Sequence, residues 1–124
     1  MLKAIILVGV GGFIGSACRY VLSLATGNLT LAGSALPPTL LVNIIGCFLI
    51  GLLLGFSGKF SKEMMLLTTT GFCGGFTTFS TFSYESLQFI QKGDLKTAFL
   101  YMGLSLVIGL IFTFSGIWLA KNAF

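Results

Sequence analysis

The sequence predicts an all-α membrane protein in which four helices cross the bilayer. Of its 124 residues, 56% are hydrophobic and only 8% are charged, and the mean hydropathy is +1.04. A soluble domain carries about 25% charged residues, so this chain lacks the charge to cover a wetted surface. Four apolar stretches follow one another with polar turns between them, and each approaches the length of about 20 residues that a membrane helix needs.

The same composition excludes several classes of protein, among them disordered chains, disulfide scaffolds and nucleic-acid binders. The chain has no histidine and three acidic residues. That leaves almost nothing for a histidine base, a two-carboxylate mechanism or a dense metal site. The three cysteines stand singly in apolar sequence and are interpreted as small packing residues. We therefore expect a protein that is not an enzyme.

The helices are predicted from the apolar runs and from the residues that begin or end them. The first run shows no convincing cleavage site and is interpreted as a mature segment, not a signal peptide. Pro37 and Pro38 open the second helix, because proline suits the first turn of a helix. One transmembrane domain over residues 1–124 is expected. Its predicted helices are 4–25, 39–57, 63–90 and 95–120.

The charges predict the topology only weakly. With four spans both termini share a side, which collects four lysines, while the other side has two and gains a third charge if Arg19 reaches it. The positive-inside rule then allows either an N-in, C-in protein or one inserted in both orientations. Stripes of small residues, such as Gly11 with Gly15, predict close helix contacts. A four-helix bundle can hardly enclose a pore alone, so at least a dimer is expected.

The third segment is unusual for a membrane span. Between Thr68 and Glu85 it carries three glycines and nine hydroxyl residues. A Gly-Gly pair disfavours a helix interior, so we predict a break near the bilayer midplane that frees backbone groups for an ion site. The alternative is that the glycines serve tight packing and the hydroxyls bond back to their own helix.

Several side chains in the spans are candidate site residues. Phe79 and Phe82 share a helical face and could present their electropositive ring edges to an anion, with Ser80 and Thr81 donating hydroxyl hydrogens. Facing lipid or core is the alternative for both rings. The next three candidates each leave two roles open. Asn43 faces a pore or bonds another helix, Tyr101 is a pore hydroxyl or an interfacial anchor, and Arg19 serves a vestibule or the structure. Glu85, also deep in a span, is expected to have such a structural or vestibule role and not to be a proton relay, because one Glu without His or Asp makes a poor relay.

At these residues the chain resembles the Fluc (CrcB-type) family of fluoride channels, over its whole length. The third motif is the most specific of three that match in order. One departure is Pro38, where the family often has glycine; we expect it to alter the entry to the helix and not the pore. The matching stretches are GGFIGSACRY at 11–20, TLLVNIIG at 39–46 and GFCGGFTTFSTF at 71–82.

The resemblance implies an antiparallel, dual-topology homodimer in the cell (inner or plasma) membrane. Each dimer would have two passive pores that export fluoride and limit its toxicity. A central structural sodium ion would be held by the backbone carbonyls of Gly74 and Thr77. Arg19 and Glu85 lie at family-typical positions without an assigned role. The implied pore residues are Asn43, Phe79, Ser80, Thr81, Phe82 and Tyr101.

Two other functions compete with this interpretation. A small proton-coupled exporter of organic cations would need a carboxylate embedded in the membrane, and Glu85, toward the end of the third segment, is the one candidate. A non-transporting assembly subunit would leave the glycine- and threonine-rich segment unexplained. Conductance without a proton gradient separates the channel from the exporter, and any protein-dependent flux excludes the assembly subunit.

Overall fold

A computed structural model describes residues 1–123 of the chain, which are mostly helical. The third predicted helix is divided into several parts, and a small hairpin precedes the second. The elements in chain order are α1 (Leu2–Thr26), β1 (Leu29–Leu31), β2 (Ser34–Leu36), α2 (Thr39–Gly55), α3 (Lys62–Met65), a π-helix (Leu66–Cys73), α4 (Gly74–Phe76), α5 (Phe79–Gln91) and α6 (Leu95–Ala123).

The predicted apolar helices are present, with shifted ends. Helices α1 and α6 are long and apolar enough to cross a membrane, and α2 is a shorter apolar helix of 17 residues. Helix α2 stops at Gly55, two residues earlier than predicted, while α6 continues to Ala123. Most large side chains of α1 and α6 point outward, as expected where the surrounding solvent is lipid.

Glycines bring the helix backbones into direct contact. A Cβ atom at Gly11 or Gly15 of α1 would clash with backbone atoms of the π-helix, and one at Gly51 of α2 would clash with the carbonyl of Thr113 in α6. Close backbone approach of this kind replaces the hydrophobic effect as the source of helix association in lipid. The predicted stripe of Gly11 and Gly15 therefore lies at a helix contact, and Gly51 lies at a second one.

The loop before α2 contains an antiparallel hairpin that was not predicted. Strands β1 and β2 pair across Ala32 and Gly33, whose positive φ values of 52° and 77° give a tight two-residue turn. The hairpin is fastened to the start of α6, where Lys96 donates to the Ala32 carbonyl at 2.9 Å and Thr97 donates to the Ser34 hydroxyl at 2.9 Å.

The glycine pair does not itself interrupt the third segment, contrary to the prediction. Gly74 is helical, with φ −63° and ψ −36°, and Gly75 lies against the backbone of Gly12 in α1. Helix α4 ends at Phe76, the next two residues are extended, and helix α5 begins at Phe79. The eight-residue π-helix just before α4 was also not predicted.

Candidate functional site

The two extended residues between α4 and α5 are held by a side chain from α2. Thr77 has φ −80° and ψ 158°, and Thr78 has φ −148° and ψ 115°. The Thr78 amide donates to Asn43 Oδ1 at 2.9 Å, and Asn43 Nδ2 donates to the Thr78 carbonyl at 3.2 Å. Asn43 thus replaces backbone partners that a continuous helix would supply, which satisfies polar groups that lipid could not.

Hydroxyl groups gather around the same point. Thr78 Oγ1 caps α5 by accepting from the Thr81 amide at 3.3 Å. It also donates to Thr81 Oγ1 at 3.1 Å and lies 3.3 Å from Ser80 Oγ. The first turn of α5 therefore presents several hydroxyl groups that can form hydrogen bonds and carry no charge.

A groove of about 640 Å³ opens beside these residues. Phe79 and Phe82 both line it, with ring centroids 5.9 Å apart, and Phe79 is 79% exposed. Ser105 of α6 also lines the groove, and its hydroxyl is buried without a hydrogen-bond partner among the described residues. The other lining residues are Asn43, Gly46, Cys47, Ile50, Thr69, Thr70, Cys73, Gly74, Thr77, Thr78, Met102 and Leu106.

A smaller cavity of about 200 Å³ lies on another side of Thr78. Arg19 lines it together with Thr81 and Thr39. It is more polar than the large groove and carries the positive charge of the guanidinium. Because Thr78 lines both spaces, the cavity with the cation and the groove with the phenylalanines adjoin the same residue.

Glu85 sits between two hydroxyl donors. Thr39 Oγ1 donates to Glu85 Oε1 at 2.8 Å, and the Tyr101 hydroxyl donates to Glu85 Oε2 at 2.7 Å. Tyr101 is fully buried and packs against the rings of Phe82 and Phe89, with centroids 5.2 and 6.0 Å away. An interfacial anchor, one of the two roles left open for Tyr101, does not fit this burial.

The predicted site residues therefore fall into four adjoining groups. Ser80 joins the Thr78 hydroxyl cluster, Thr81 and Arg19 share the smaller cavity, and Tyr101 pairs with Glu85. The large groove collects Asn43, Gly74, Thr77, Phe79 and Phe82.

Sequence reasoning missed three residues of these groups: Thr39, Thr78 and Ser105. Thr39 precedes Asn43 by four residues, a helical spacing that places both on one face. That spacing was the signal available for Thr39. Thr78 stood in the hydroxyl-rich run, whereas no sequence signal separates Ser105 from a packing residue of α6.

The chemistry of the site is that of neutral donors and ring edges. Among residues 1–123, no three His, Cys, Asp or Glu side chains lie together as a metal site. The arrangement offers hydroxyl groups, an amide group and aromatic ring edges to a bound ion. The full positive charge, that of Arg19, lies to one side in the smaller cavity.

Comparisons with known proteins agree with these features. Residues 6–117 match the family model described as CrcB-like protein, Camphor Resistance (CrcB). A protein of Leptospira interrogans named fluoride-specific ion channel FluC is 44% identical over 97% of this chain and 96% of its own length. The protein of the same name from Chlorobaculum tepidum is 46% identical over 98% of this chain and 97% of its own, and that from Flavobacterium psychrophilum is 39% identical over 98% and 99%. The resemblance found in the sequence is thus confirmed, and the chain belongs to the CrcB-like family.

Proposed function

We propose that this protein is a passive, fluoride-selective channel that releases fluoride from the cell and so limits its toxicity. Its relatives in the family are named fluoride-specific ion channels. The observation that carries the proposal is the groove in which Phe79 and Phe82 lie beside the backbone break held by Asn43. The protein would be a multi-pass protein of the inner or plasma membrane and not an enzyme.

The chemistry of the groove suits a small, strongly hydrated anion. Such an ion enters a narrow path only where hydrogen-bond donors replace its water, and it leaves only if binding stays weak. The edges of Phe79 and Phe82 are weakly electropositive, and Ser80 and Thr81 supply hydroxyl hydrogens. Asn43 contributes an amide that also keeps the break open. Arg19, in the adjoining cavity, would attract anions toward the path without occupying it.

Tyr101 and Glu85 have a more limited role in this proposal. The tyrosine hydroxyl already donates to the carboxylate, as does Thr39. Tyr101 then contributes to the path chiefly by positioning Phe82, whose ring lies 5.2 Å from its own. Glu85 acts as the acceptor that fixes both hydroxyls.

The open groove favours an assembly in which a second copy completes the path. An aromatic ring that is 79% exposed next to freed backbone groups would otherwise face lipid, which cannot solvate polar backbone. An antiparallel homodimer would close two such grooves and give two pores. Its two orientations are compatible with the small difference in positive charge between the two sides of the membrane.

We further propose that the same groove holds a structural sodium ion on the two-fold axis of the dimer. Gly74 and Thr77 both line it. The Thr78 amide donates to Asn43, so the Gly74 carbonyl loses the partner that a continuous helix would give it. Freed carbonyls are suitable ligands for sodium in broken membrane helices. A bound sodium ion would supply a fixed positive charge and hold the two copies together through backbone oxygens.

Fluoride efflux from liposomes tests the proposal. Purified protein is reconstituted with internal potassium fluoride, and efflux is followed with a fluoride electrode after adding a potassium ionophore, with potassium chloride run in parallel. We expect rapid fluoride efflux, negligible chloride efflux and no need for a proton gradient. Absence of fluoride efflux from folded protein would overturn the proposal, and efflux that required a proton gradient would favour the exporter.

A further inference from the structure

A second groove lies away from the proposed pore, on the outer surface of α2 and α6. Its volume is about 380 Å³, and its lining is apolar apart from one serine. Two of the aromatic side chains are open to the surroundings: Phe114 is 69% exposed and Trp118 is 57% exposed. The complete lining is Phe48, Phe114, Ser115, Trp118 and Leu119.

This groove runs toward the basic end of the molecule. Gly55, the last residue of α2, packs against Ala120 near the end of α6, so the turn after α2 and the end of α6 lie side by side. Glu63 is the carboxylate at this end among the described residues, and it pairs with Lys3 at 3.3 Å. The end therefore has a positive balance. Its lysines are Lys3, Lys59, Lys62 and Lys121.

The helix register aligns the groove with one of these lysines. Lys121 follows Trp118 by three residues and Phe114 by seven, so all three share a face of α6. At 1.5 Å per residue, Lys121 lies roughly 4.5 Å beyond Trp118 along the axis. An exposed tryptophan followed by a lysine is the usual order of side chains from the acyl region to the head groups of a bilayer.

We propose that this groove binds an anionic phospholipid, with an acyl chain along Phe114 and Trp118 and the head-group phosphate on Lys121. The apolar lining matches the chain and the basic end matches the charge of the head group. Lys59, on the adjacent turn, adds to the positive field. The acyl chain of a zwitterionic lipid would fit the groove equally well, but its head group would lose most of the electrostatic attraction to the lysines.

The single tryptophan of the chain makes the groove observable. The protein is reconstituted in phosphatidylcholine vesicles containing increasing fractions of brominated phosphatidylglycerol or, separately, brominated phosphatidylcholine, and quenching of Trp118 is recorded. We expect half-maximal quenching at a roughly fivefold lower fraction of the anionic lipid, the contribution of about one lysine at a membrane surface. This preference should decline as salt is raised.

Two substitutions give the matched comparison. Lys121→Gln should bring the two lipids close to equal quenching, whereas Lys92→Gln, in the turn before α6 at the opposite end of the helix bundle, should leave the preference intact. Equal quenching by both lipids in the unaltered protein would overturn the proposal. So would protection of Trp118 from both lipids, which would indicate that a second copy of the chain covers the groove.

Discussion

Asn43 holds the backbone of Thr78 with both ends of its side-chain amide. The oxygen accepts from the Thr78 amide at 2.9 Å, and the nitrogen donates to the Thr78 carbonyl at 3.2 Å. One side chain of α2 thus satisfies both backbone groups of an extended residue in α-helical surroundings. A residue in this position needs a donor and an acceptor at once, which the asparagine amide provides and an ionised carboxylate does not.

Asn43→Asp should therefore stop fluoride flux and also weaken the fold. The carboxylate can still accept from the Thr78 amide, but it cannot donate to the carbonyl, and its charge repels an anion. We expect a stability loss of about 1–3 kcal/mol, measured by thermal unfolding, together with loss of efflux from liposomes. Asn28→Asp, in the exposed loop before β1, is the control and should behave as the unaltered protein. Normal flux in Asn43→Asp would contradict the pore role of this residue.

The two phenylalanines should respond differently to the same change. Phe79 is largely exposed in the single chain, while the Phe82 ring packs 5.2 Å from that of Tyr101. Phe79→Ile should reduce flux with little change in protomer stability, whereas Phe82→Ile should reduce flux and cost about 1 kcal/mol or more. Phe13→Ile, at a residue of α1 that is 76% exposed, should leave flux unaltered. Full flux in both Phe79→Ile and Phe82→Ile would show that these phenylalanines do not line the fluoride path.

Some of this arrangement could be predicted from the sequence because it depends on local composition. Apolar runs close to the length needed to cross a bilayer predict helices, and a dense run of hydroxyls and glycines marks the segment that departs from them. The break lies just after the glycine pair from which it was predicted, however, at Thr77 and Thr78. Gly75 is needed for contact with Gly12, whereas the break two residues later depends on Asn43, which is 35 residues distant from Thr78 in the chain.

The features that were missed depend on tertiary contacts. The hairpin has strands of three residues each, too short for an alternating pattern, and is fastened by Lys96 and Thr97 of a distant helix. The π-helix packs against Gly11 and Gly15, so its hydrogen-bond register is not readable from its own residues. The partners of Glu85 come from α2 and α6, which a single sequence does not bring together.

Tyr101→Phe should destabilise the protein through Glu85. The substitution removes the 2.7 Å hydrogen bond to Glu85 Oε2 and leaves a partly buried carboxylate with one donor fewer. We expect a loss of about 1–3 kcal/mol in the free energy of unfolding, while the aromatic ring that packs on Phe82 is retained. Tyr84→Phe is the matched control, because its hydroxyl lies on the exposed side of α5 and contacts Gln88. Unchanged stability in Tyr101→Phe would show that this hydrogen bond is not important for the fold.

Two glycines of α1 provide a test of backbone packing. A Cβ at Gly15 would clash with the carbonyl of Phe72, whereas one at Gly9 has no heavy atom within 4 Å. Gly15→Ala should therefore destabilise the protein by about 1–3 kcal/mol, and Gly9→Ala should be neutral or stabilise it by up to about 1 kcal/mol through helix propensity. Unfolding in detergent measures both. Equal effects of the two substitutions would contradict close contact between α1 and the π-helix.

The acid sensitivity of the fold should depend in part on the cap of α6. Asp94 Oδ1 accepts from the Thr97 amide at 3.1 Å, and hydrogen bonds from the Thr97 side chain and backbone lower the pKa of the Asp94 carboxyl below its ordinary value of 3.8. A group whose pKa is lower in the folded state stabilises that state above the unfolded pKa and loses this contribution as the pH falls through the folded pKa.

Thermal unfolding followed from about pH 6 down to about pH 3, which spans the ordinary range of an aspartate, tests this contribution. Asp94→Asn is the informative variant, because asparagine also caps a helix but does not titrate. We expect the melting temperature of the unaltered protein to fall more steeply with acid than that of Asp94→Asn. The other acidic side chains are the same in both proteins, so their effects cancel in the difference. Parallel pH curves would show that the charge on Asp94 is not important for the stability of α6.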